Sequence, residues 1–150
     1  MNRSTLTEKE LKIWKMYKET FKTVFNRIVK ETYDITGISD GDFMVLDLLT
    51  RSETGQLRQQ ELADTMGWSR SRLSHHLTRM EKRELIVKQP MDQGNGIQVA
   101  ITPQGTSALN ASWPLHEKGI KQYFIDILTE ADIESITRLA SAMQKSDLLR

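Results

Sequence analysis

The chain of 150 residues contains no cysteine, only three prolines and no long apolar run. Without cysteine there is no disulfide framework, no thiolate metal site and no thiol redox switch. No apolar stretch approaches the roughly 18 residues needed to cross a bilayer, and the opening MNRSTLTEKE lacks the apolar segment of a secretory signal. These absences predict a soluble, cytoplasmic protein with no membrane partner.

The formal net charge is only +1, so the chain is not a uniformly basic nucleic-acid binder. Its charges are nevertheless unevenly distributed. Residues 57–89 carry seven Lys or Arg against four Asp or Glu, a net charge of +3, whereas residues 40–56 carry one Arg against four acids, a net charge of −3. Basic charge is therefore concentrated in one segment, where an anionic partner is expected to bind.

Capping signals and helical periodicity divide the chain into helices, without any internal repeat. At 38% hydrophobic residues, the length suits one compact domain or two small lobes that share a core. A capping box at Thr7 opens a long first helix that ends near Tyr33, before Gly37. A second capping box at Ser39 opens a strongly apolar helix that runs to Arg51.

The last third of the chain carries two more predicted helices. Pro103 occupies a first helical position, Pro114 is expected to kink the same helix, and Thr129 caps the last helix. The apolar stripe after Pro103 consists of Leu109, Trp113, Ile120, Phe124 and Ile127. Together with the first helix, these two helices carry more apolar surface than a small central lobe can cover. A second copy of the chain is expected to cover the remainder, which predicts a homodimer.

The basic segment contains two short amphipathic helices around a turn. The first covers residues 59–66, Gly67 can adopt the positive φ that ends it, and Ser69 is a good N-cap for the second. At about 100° per residue, three apolar side chains share one side of the second helix. They are Leu73, Leu77 and Met80. This arrangement predicts a helix-turn-helix with one buried face.

The opposite face of the second helix is polar and basic, as in a helix that enters the major groove of DNA. Small Ser and Thr side chains allow close approach to base edges, while Arg and His supply hydrogen-bond donors to guanine and to phosphate oxygens. The predicted DNA-binding residues of this recognition helix are Ser69, Arg70, Ser71, Arg72, Ser74, His75, Thr78, Arg79 and Lys82.

After the recognition helix the pattern changes to that of a two-stranded hairpin. Apolar residues 85–87 are followed by the Gly-rich stretch MDQGNG and by the alternating segment 97–101. A hairpin attached to the end of a recognition helix is the wing of a winged helix, and its tip can enter the minor groove. The predicted DNA contacts of the wing and its flanks are Arg58, Lys88, Gln93 and Asn95. The predicted fold class is mainly α, a winged helix-turn-helix with a helical dimerisation region.

These motifs together resemble the MarR family of winged helix-turn-helix transcriptional regulators. The matching segments are LRQQELADTMGWSRSRLSHHLTRMEKREL, the wing D-x-G-x-G followed by Val-x-Ile-Thr-Pro-x-Gly, and ASWPLHEKGI. The resemblance implies a two-fold dimer with interleaved N- and C-terminal helices, one DNA half-site per subunit, and a small anionic or phenolic ligand between the lobes. It divides the chain into dimerisation helices at 1–36 and 103–150 and a DNA-binding domain at 37–102.

Two features of the chain, one at the wing tip and one at the end of the recognition helix, depart from the pattern of that family. The family usually places arginine at the wing tip, where this chain has Gln93 and Asn95, so the electrostatic attraction of an inserted arginine is lost. The family commonly has glycine where this chain has Glu84, and glutamate predicts a helix end without the left-handed cap.

The same architecture makes Trp14, Tyr17 and Trp113 candidates for lining a ligand pocket. Aromatic residues at helical spacing are, however, more often core or interface groups than pocket walls. Arg58 and Arg83 fit two interpretations equally well, as solvated surface charges or as phosphate clamps.

Metal and nucleotide sites find little support in the sequence. His75 and His76 adjoin and point about 100° apart on the helix, with no acidic or cysteine partner at ligand spacing. His116-Glu117 lacks the second histidine of a metalloprotease, and the Gly94-Asn95-Gly96 turn lacks the Lys-Ser/Thr of a phosphate loop. We therefore expect no metal and no cofactor.

The sequence predicts a sequence-specific regulator that binds double-stranded DNA and is not an enzyme, since no nucleophile-base pair, metal cluster or nucleotide fingerprint is present. The regulator is expected to be a repressor that acts as a homodimer on a near-palindromic operator and is released by a small-molecule effector. The alternative is a winged helix that serves as a protein-protein interaction module, and the missing wing arginine favours it.

Overall fold

The computed structural model describes residues 5–146, and this part of the chain contains six α-helices and three short β-strands. The helices are α1 (Glu8–Thr36), α2 (Asp40–Arg51), α3 (Gln59–Met66), α4 (Arg70–Lys82), α5 (Pro103–Tyr123) and α6 (Glu130–Lys145). The strands are β1 (Gln56–Arg58), β2 (Ile86–Pro90) and β3 (Ile97–Ile101). The mainly helical fold class is confirmed.

The predicted helix starts are confirmed by their capping hydrogen bonds. At the start of α1, Oγ1 of Thr7 accepts from the N–H of Glu10 at 3.3 Å, and the Glu10 carboxylate accepts from the N–H of Thr7 at 2.7 Å. Ser39 and Asp42 form the same reciprocal pair at the start of α2, at 3.0 and 3.2 Å. These bonds satisfy backbone donors that the first turn of a helix leaves unpaired.

The sheet contains one strand more than the predicted hairpin. Its order is β1-β3-β2 with both pairings antiparallel, so that Leu57 of β1 pairs with Val99 and Val87 of β2 pairs with Ala100. The sequence does not predict β1, because its three residues directly precede α3 and are too few to show strand periodicity. The wing is thereby joined to the start of the helix-turn-helix.

The apolar core lies between α2, α3, α4 and the sheet. The predicted stripe of α4 is confirmed, since Leu73, Leu77 and Met80 have no exposed surface. Leu46 and Leu49 from α2 are equally buried beneath them. Because one face of α4 is fixed in this core, its opposite face is presented to solvent.

The C-terminal end of α4 differs from the expectation for Glu84. Glu84 adopts a φ of +60°, so the left-handed cap is present even though glycine is not. The N–H of Glu84 bonds to the carbonyl of Glu81 at 2.9 Å, and the N–H of Leu85 bonds to the carbonyl of Met80 at 3.1 Å. These are the two bonds of a Schellman motif. The prediction was wrong because tertiary contacts override the local preference: the Glu84 carbonyl accepts from Oγ1 of Thr102 at 2.6 Å.

Helix α5 packs along α1 and is shorter than its apolar stripe suggests. A Cβ atom at Gly119 would lie 3.0 Å from Cγ1 of Ile28, so the two helices approach closely there. α5 continues through Pro114 and ends at Tyr123, because Phe124 leaves the helical region at φ −133° and ψ −62°. A 3₁₀ turn (Ile125–Ile127) then leads to α6.

The outer helices expose large apolar side chains. On α1, Trp14, Tyr17 and Phe21 are each more than half exposed. On α6, which has no buried residue at all, Ile133 and Ile136 are exposed on its apolar stripe. Within this single chain these stripes lack the packing that normally stabilises an amphipathic helix.

Candidate nucleic-acid interface

Helix α4 begins at a turn built by the residues that the sequence singles out. Gly67 has a φ of +63°, which ends α3, and Oγ of Ser69 accepts from the N–H of Arg72 at 3.3 Å to begin α4. The exposed residues of this surface are Ser69, Arg70, Ser71, Arg72, His75, Arg79 and Lys82, while Ser74 and Thr78 are half-buried. The structure thus brings the predicted recognition residues together on one helix with its N-terminus open to solvent.

The side chain of Arg72 is held against an aromatic ring. Its guanidinium carbon lies 3.8 Å from the centre of the Trp68 ring, which is a cation–π contact. Trp68 itself is half-buried and packs against the core. Arg72 is thus a cation at the surface whose position is restricted by the turn.

Lys88 and Thr78 contact each other instead of pointing freely outward. Nζ of Lys88 donates to Oγ1 of Thr78 at 3.0 Å and lies 3.6 Å from Oε2 of Glu81. The N–H of Lys88 also donates to Oε1 of Glu81 at 2.8 Å. These bonds tie the first wing strand to the recognition helix, and they partly neutralise the charge of Lys88.

A buried carboxylate, Asp42, lies beneath the C-terminal half of α4. Its side chain is 3% exposed, and Nη1 of Arg83 donates to Oδ2 at 2.7 Å. Burial alone would raise the pKa of Asp42, but His76, Arg83 and the N–H of Ser39 outweigh it and hold the pKa well below its usual range. Because Arg83 also donates to the carbonyl of Gly37 at 2.8 Å, it is a structural link and not a free phosphate clamp.

His76 lies between this carboxylate and a surface arginine. Its Nε2 is 3.0 Å from Oδ1 of Asp42, outside hydrogen-bond alignment, and its Nδ1 is 3.2 Å from Nη2 of Arg79. The ring stands edge-on to Trp68 at 5.3 Å between centroids. Sequence reasoning missed the role of both His76 and Asp42, because their contact joins residues far apart in the chain. The one available signal is the acidic cap of α2 opposite a helix that carries His76, Arg79 and Arg83.

The wing tip carries polar but uncharged candidates. Gln93 and Asn95 are both exposed in the loop between β2 and β3, where the N–H of Met91 bonds to the carbonyl of Gly96 at 3.2 Å. Arg58 is exposed at the start of α3, and its N–H donates to the Glu61 carboxylate at 2.8 Å. The cationic surface therefore comes from α4 and Arg58, with the wing contributing hydrogen-bonding groups.

Comparison with known proteins adds independent evidence about the fold of the chain. A domain family of unknown function, DUF7343, matches residues 38–100, and no curated protein matches the chain. AbsC from Streptomyces coelicolor, a MarR family transcriptional regulator, is 27% identical, with a TM-score of 0.85 over 96% of this chain and 95% of AbsC. Sco3205 from the same organism, a MarR family regulator solved in complex with DNA, is 24% identical, with a TM-score of 0.84 over 95% of this chain and 91% of its own.

The chain has the MarR-family fold. The resemblance that the motifs indicate is thereby confirmed over nearly the whole chain. A further match, the organohalide-sensing transcriptional regulator RdhR-CbdbA1625 solved in its 2,4-dichlorophenol-bound form, is 16% identical, with a TM-score of 0.77 over 99% of this chain and 86% of that one. At this identity it supports the fold alone.

In this MarR-type fold, a crevice opens between α1, α2 and the middle of α5. It is lined by Val29, Thr32, Ile38, Ser39, Asp40, Phe43 and His116. The His116 ring stacks on Phe43 at 4.6 Å. Burial raises the pKa of Asp40, although the nearby His116 partly offsets this. Burial also lowers the pKa of His116, although the carboxylates of Asp40 and Asp47 partly offset that effect. The crevice thus combines an apolar wall with two ionisable side chains, Asp40 and His116.

The three aromatic candidates for the ligand pocket are not brought together. Trp14 and Tyr17 stack on each other at 6.3 Å on the exposed half of α1. Trp113 instead stacks on Phe43 at 5.4 Å. Of the three, only Trp113 is therefore near the crevice, because it stacks on Phe43, the same ring on which His116 stacks.

The described range, residues 5–146, contains no group of three or more His, Cys, Asp or Glu side chains placed to hold a metal ion. It also contains no helix with the length and apolarity needed to span a membrane.

Proposed function

We propose that this chain is a sequence-specific regulator of transcription that binds double-stranded DNA as a homodimer and represses the genes next to its operator. The observation that carries the proposal is the division of α4 into two faces. One face is fixed in the core by Leu73, Leu77 and Met80, and the other exposes cations at the surface. A rigid helix of this kind can fit the major groove, with phosphate contacts on either side.

The residues proposed to bind DNA fall into two groups. Exposed Arg70, Arg72, Arg79 and Lys82 provide charge, while Ser69, Ser71, Ser74, His75 and Thr78 allow close approach to base edges. Arg58 and Lys88 flank them, and Gln93 and Asn95 extend the surface to the minor groove. Lys88 is expected to act mainly by fixing the wing on α4, because Thr78 and Glu81 already hold it.

A homodimer is supported by the apolar stripes of the outer helices. Ile133, Ile136 and Leu139 of α6 and Phe21 of α1 are exposed, although side chains of this kind are normally buried. Two chains joined through segments 1–36 and 103–150 would carry two DNA-binding domains. With recognition helices about 34 to 36 Å apart, the dimer would read successive major grooves of a near-palindrome.

A small-molecule effector is proposed for the crevice beside His116. A phenolic ligand suits it better than an anion, because Phe43 supplies an aromatic wall and His116 can donate a hydrogen bond to a phenol oxygen, whereas the Asp40 carboxyl in the same lining disfavours a second negative charge. The 2,4-dichlorophenol complex of RdhR-CbdbA1625 makes phenols a sensible first class to test. Trp113 stacks on this aromatic wall, Phe43. Trp14 and Tyr17 would join the site only if dimer formation brings them next to it.

The proposal is tested by selecting bound duplexes from a random DNA pool and titrating the enriched sequence against random duplex. We expect the selected sequence to bind at least about a thousandfold more tightly. Arg72→Ala/Arg79→Ala should abolish the selection, whereas Lys18→Ala/Lys22→Ala on α1, which removes the same charge, should leave it intact. Equal affinity for selected and random duplex would refute sequence-specific binding.

The wing tip carries no cation, and this absence favours a second function for the chain, as a protein-protein interaction module. The same titration separates the two functions. A module of this kind would bind no duplex at either low or moderate salt, even though it folds and dimerises.

A further inference from the structure

The contact between Arg79 and His76 assigns a hydrogen-bonding role to one nitrogen of the histidine ring. Nη2 of Arg79 lies 3.2 Å from Nδ1 of His76. A guanidinium can only donate hydrogen bonds, so Nδ1 must be the acceptor and carries no proton. This contact corresponds to the tautomer with its proton on Nε2, the nitrogen that lies 3.0 Å from the Asp42 carboxylate.

The position of the His76 ring is closely determined by its neighbours. Its side chain is 12% exposed, and Trp68 stands edge-on to it at 5.3 Å. Gly41 of α2 borders both rings, since a Cβ atom there would lie 2.8 Å from Cε1 of His76 and 2.8 Å from Cη2 of Trp68. A side chain at position 41 would thus collide with both rings, and its absence lets α2 support them directly.

We propose that His76 is a positioning residue that does not touch DNA but holds Arg79 in its DNA-binding orientation. This inference rests on the proposed function and deepens it. The ring lies between two partners of opposite kind: the Asp42 carboxylate faces Nε2, and Nδ1 accepts from the guanidinium. An arginine held at one nitrogen retains its remaining donors for a phosphate or a guanine. Because the Arg79 side chain is already ordered before DNA binds, less conformational entropy is lost when the protein-DNA complex forms.

The charged groups around His76 come from two helices. Asp42 on α2 faces Nε2, whereas Arg79 approaches Nδ1 and Arg83 shares the Asp42 carboxylate. A second proton on the ring would occupy Nδ1, remove the acceptor and place positive charge against Arg79. The positioning function therefore requires the neutral ring.

Two substitutions separate positioning from simple packing. In His76→Asn, the amide oxygen can replace Nδ1 as acceptor for Arg79, while the contact to Asp42 is lost. In His76→Gln, the amide can replace Nε2 opposite Asp42, while the acceptor for Arg79 is lost. We expect His76→Gln to weaken specific DNA binding by about tenfold and His76→Asn to retain more of it. The reverse order would show that His76 serves only to pair with Asp42.

A double-mutant cycle then tests whether His76 acts through Arg79. Once Arg79→Ala is present, His76→Gln should change DNA affinity by less than about twofold. Arg70, an exposed cation on the same helix, supplies the matched control: in Arg70→Ala the effect of His76→Gln should persist in full. Additive effects in both backgrounds would overturn the inference, and thermal melts confirm that each variant is folded.

A spectroscopic measurement on the wild-type protein needs no variant and no DNA. Long-range ¹⁵N–¹H correlation spectra should show His76 as the Nε2–H tautomer at neutral pH. The Nδ1–H tautomer would overturn the inference even if DNA binds. If no duplex is bound at all, the proposed function fails and this inference fails with it, whereas binding without coupling between His76 and Arg79 refutes only the inference.

Discussion

The guanidinium of Arg83 donates a 2.7 Å hydrogen bond to the carboxylate of Asp42, which lies 41 residues earlier in the chain. This pair joins the start of α2 to the end of the recognition helix. Because the same carboxylate also caps α2 and faces His76, it links three parts of the proposed DNA-binding region. Its charge should therefore matter for stability in a predictable pH range.

Asp42→Asn should lower the free energy of unfolding by about 2 to 4 kcal/mol at neutral pH, since it removes the negative charge and one of the two acceptor oxygens of a buried ionic contact. The pKa of Asp42 is lowered by folding, so its stabilisation is complete above the unfolded pKa and is lost as the pH falls toward the folded one. The difference between variant and wild type should thus shrink below about pH 4. Urea titrations across pH measure it.

Asp34→Asn is the matched control for that experiment. Asp34 pairs with Lys30 on the exposed side of α1, so its loss should cost less than about 1 kcal/mol. An Asp42→Asn penalty that stays constant down to pH 2 would contradict the assignment.

Glu84→Gly should raise the stability of the protein. Glu84 has a φ of +60°, a conformation that costs a side chain about 1 to 2 kcal/mol, and part of this is offset by the greater unfolded-state freedom of glycine. We expect a net gain of about 0.5 to 1 kcal/mol, seen as a higher melting temperature. The same change at Glu117, inside α5, should instead destabilise the protein by about 1 kcal/mol. Equal effects at both positions would argue against the left-handed cap.

Arg72→Ala and Leu77→Ala should separate binding from folding. Arg72 stacks on Trp68 at the surface, so its removal should weaken DNA binding with little change in melting temperature. Leu77 has no exposed surface, and its truncation should cost about 2 to 5 kcal/mol of stability. Circular dichroism melts and gel shifts on the same samples provide both readouts. Indistinguishable melts would contradict the division of α4 into two faces.

Ile136→Asp should dissociate the proposed homodimer. Ile136 is exposed on α6, where a charge costs little in a single chain but is unfavourable in an apolar interface. Sedimentation equilibrium should show monomers for this variant and dimers for the wild type. Arg138→Glu is the control and should leave the dimer intact, because Arg138 is exposed about 200° around the helix from Ile136.

Local signals in the sequence predicted much of this fold. Capping boxes such as Thr7 with Glu10 determine helix starts through hydrogen bonds between near neighbours, and the stripe of Leu73, Leu77 and Met80 is fixed by periodicity alone. What escaped prediction depends on distant contacts. Glu84 enters the left-handed region where Thr102 holds its carbonyl, and Asp42 meets His76 only after α2 packs under α4.

Within the site, the sequence indicated which residue types share the polar face of α4 but not which of them are already engaged. Arg83 looked equally suited to a phosphate clamp until its bonds to Asp42 and Gly37 were visible. Lys88 likewise contacts Thr78 rather than extending freely from the wing. A cation is available to DNA only to the extent that its own fold leaves its charge and its donors unpaired, and that depends on tertiary structure.

The most direct test of the central claim is the salt dependence of binding to the selected duplex. If about four cations of each subunit contact phosphate, the slope of log affinity against log salt concentration for the dimer should be near −7. Removing Arg79 from both subunits should make the slope about two units shallower, if each copy contacts one phosphate. A slope close to zero would contradict a DNA-binding face on α4.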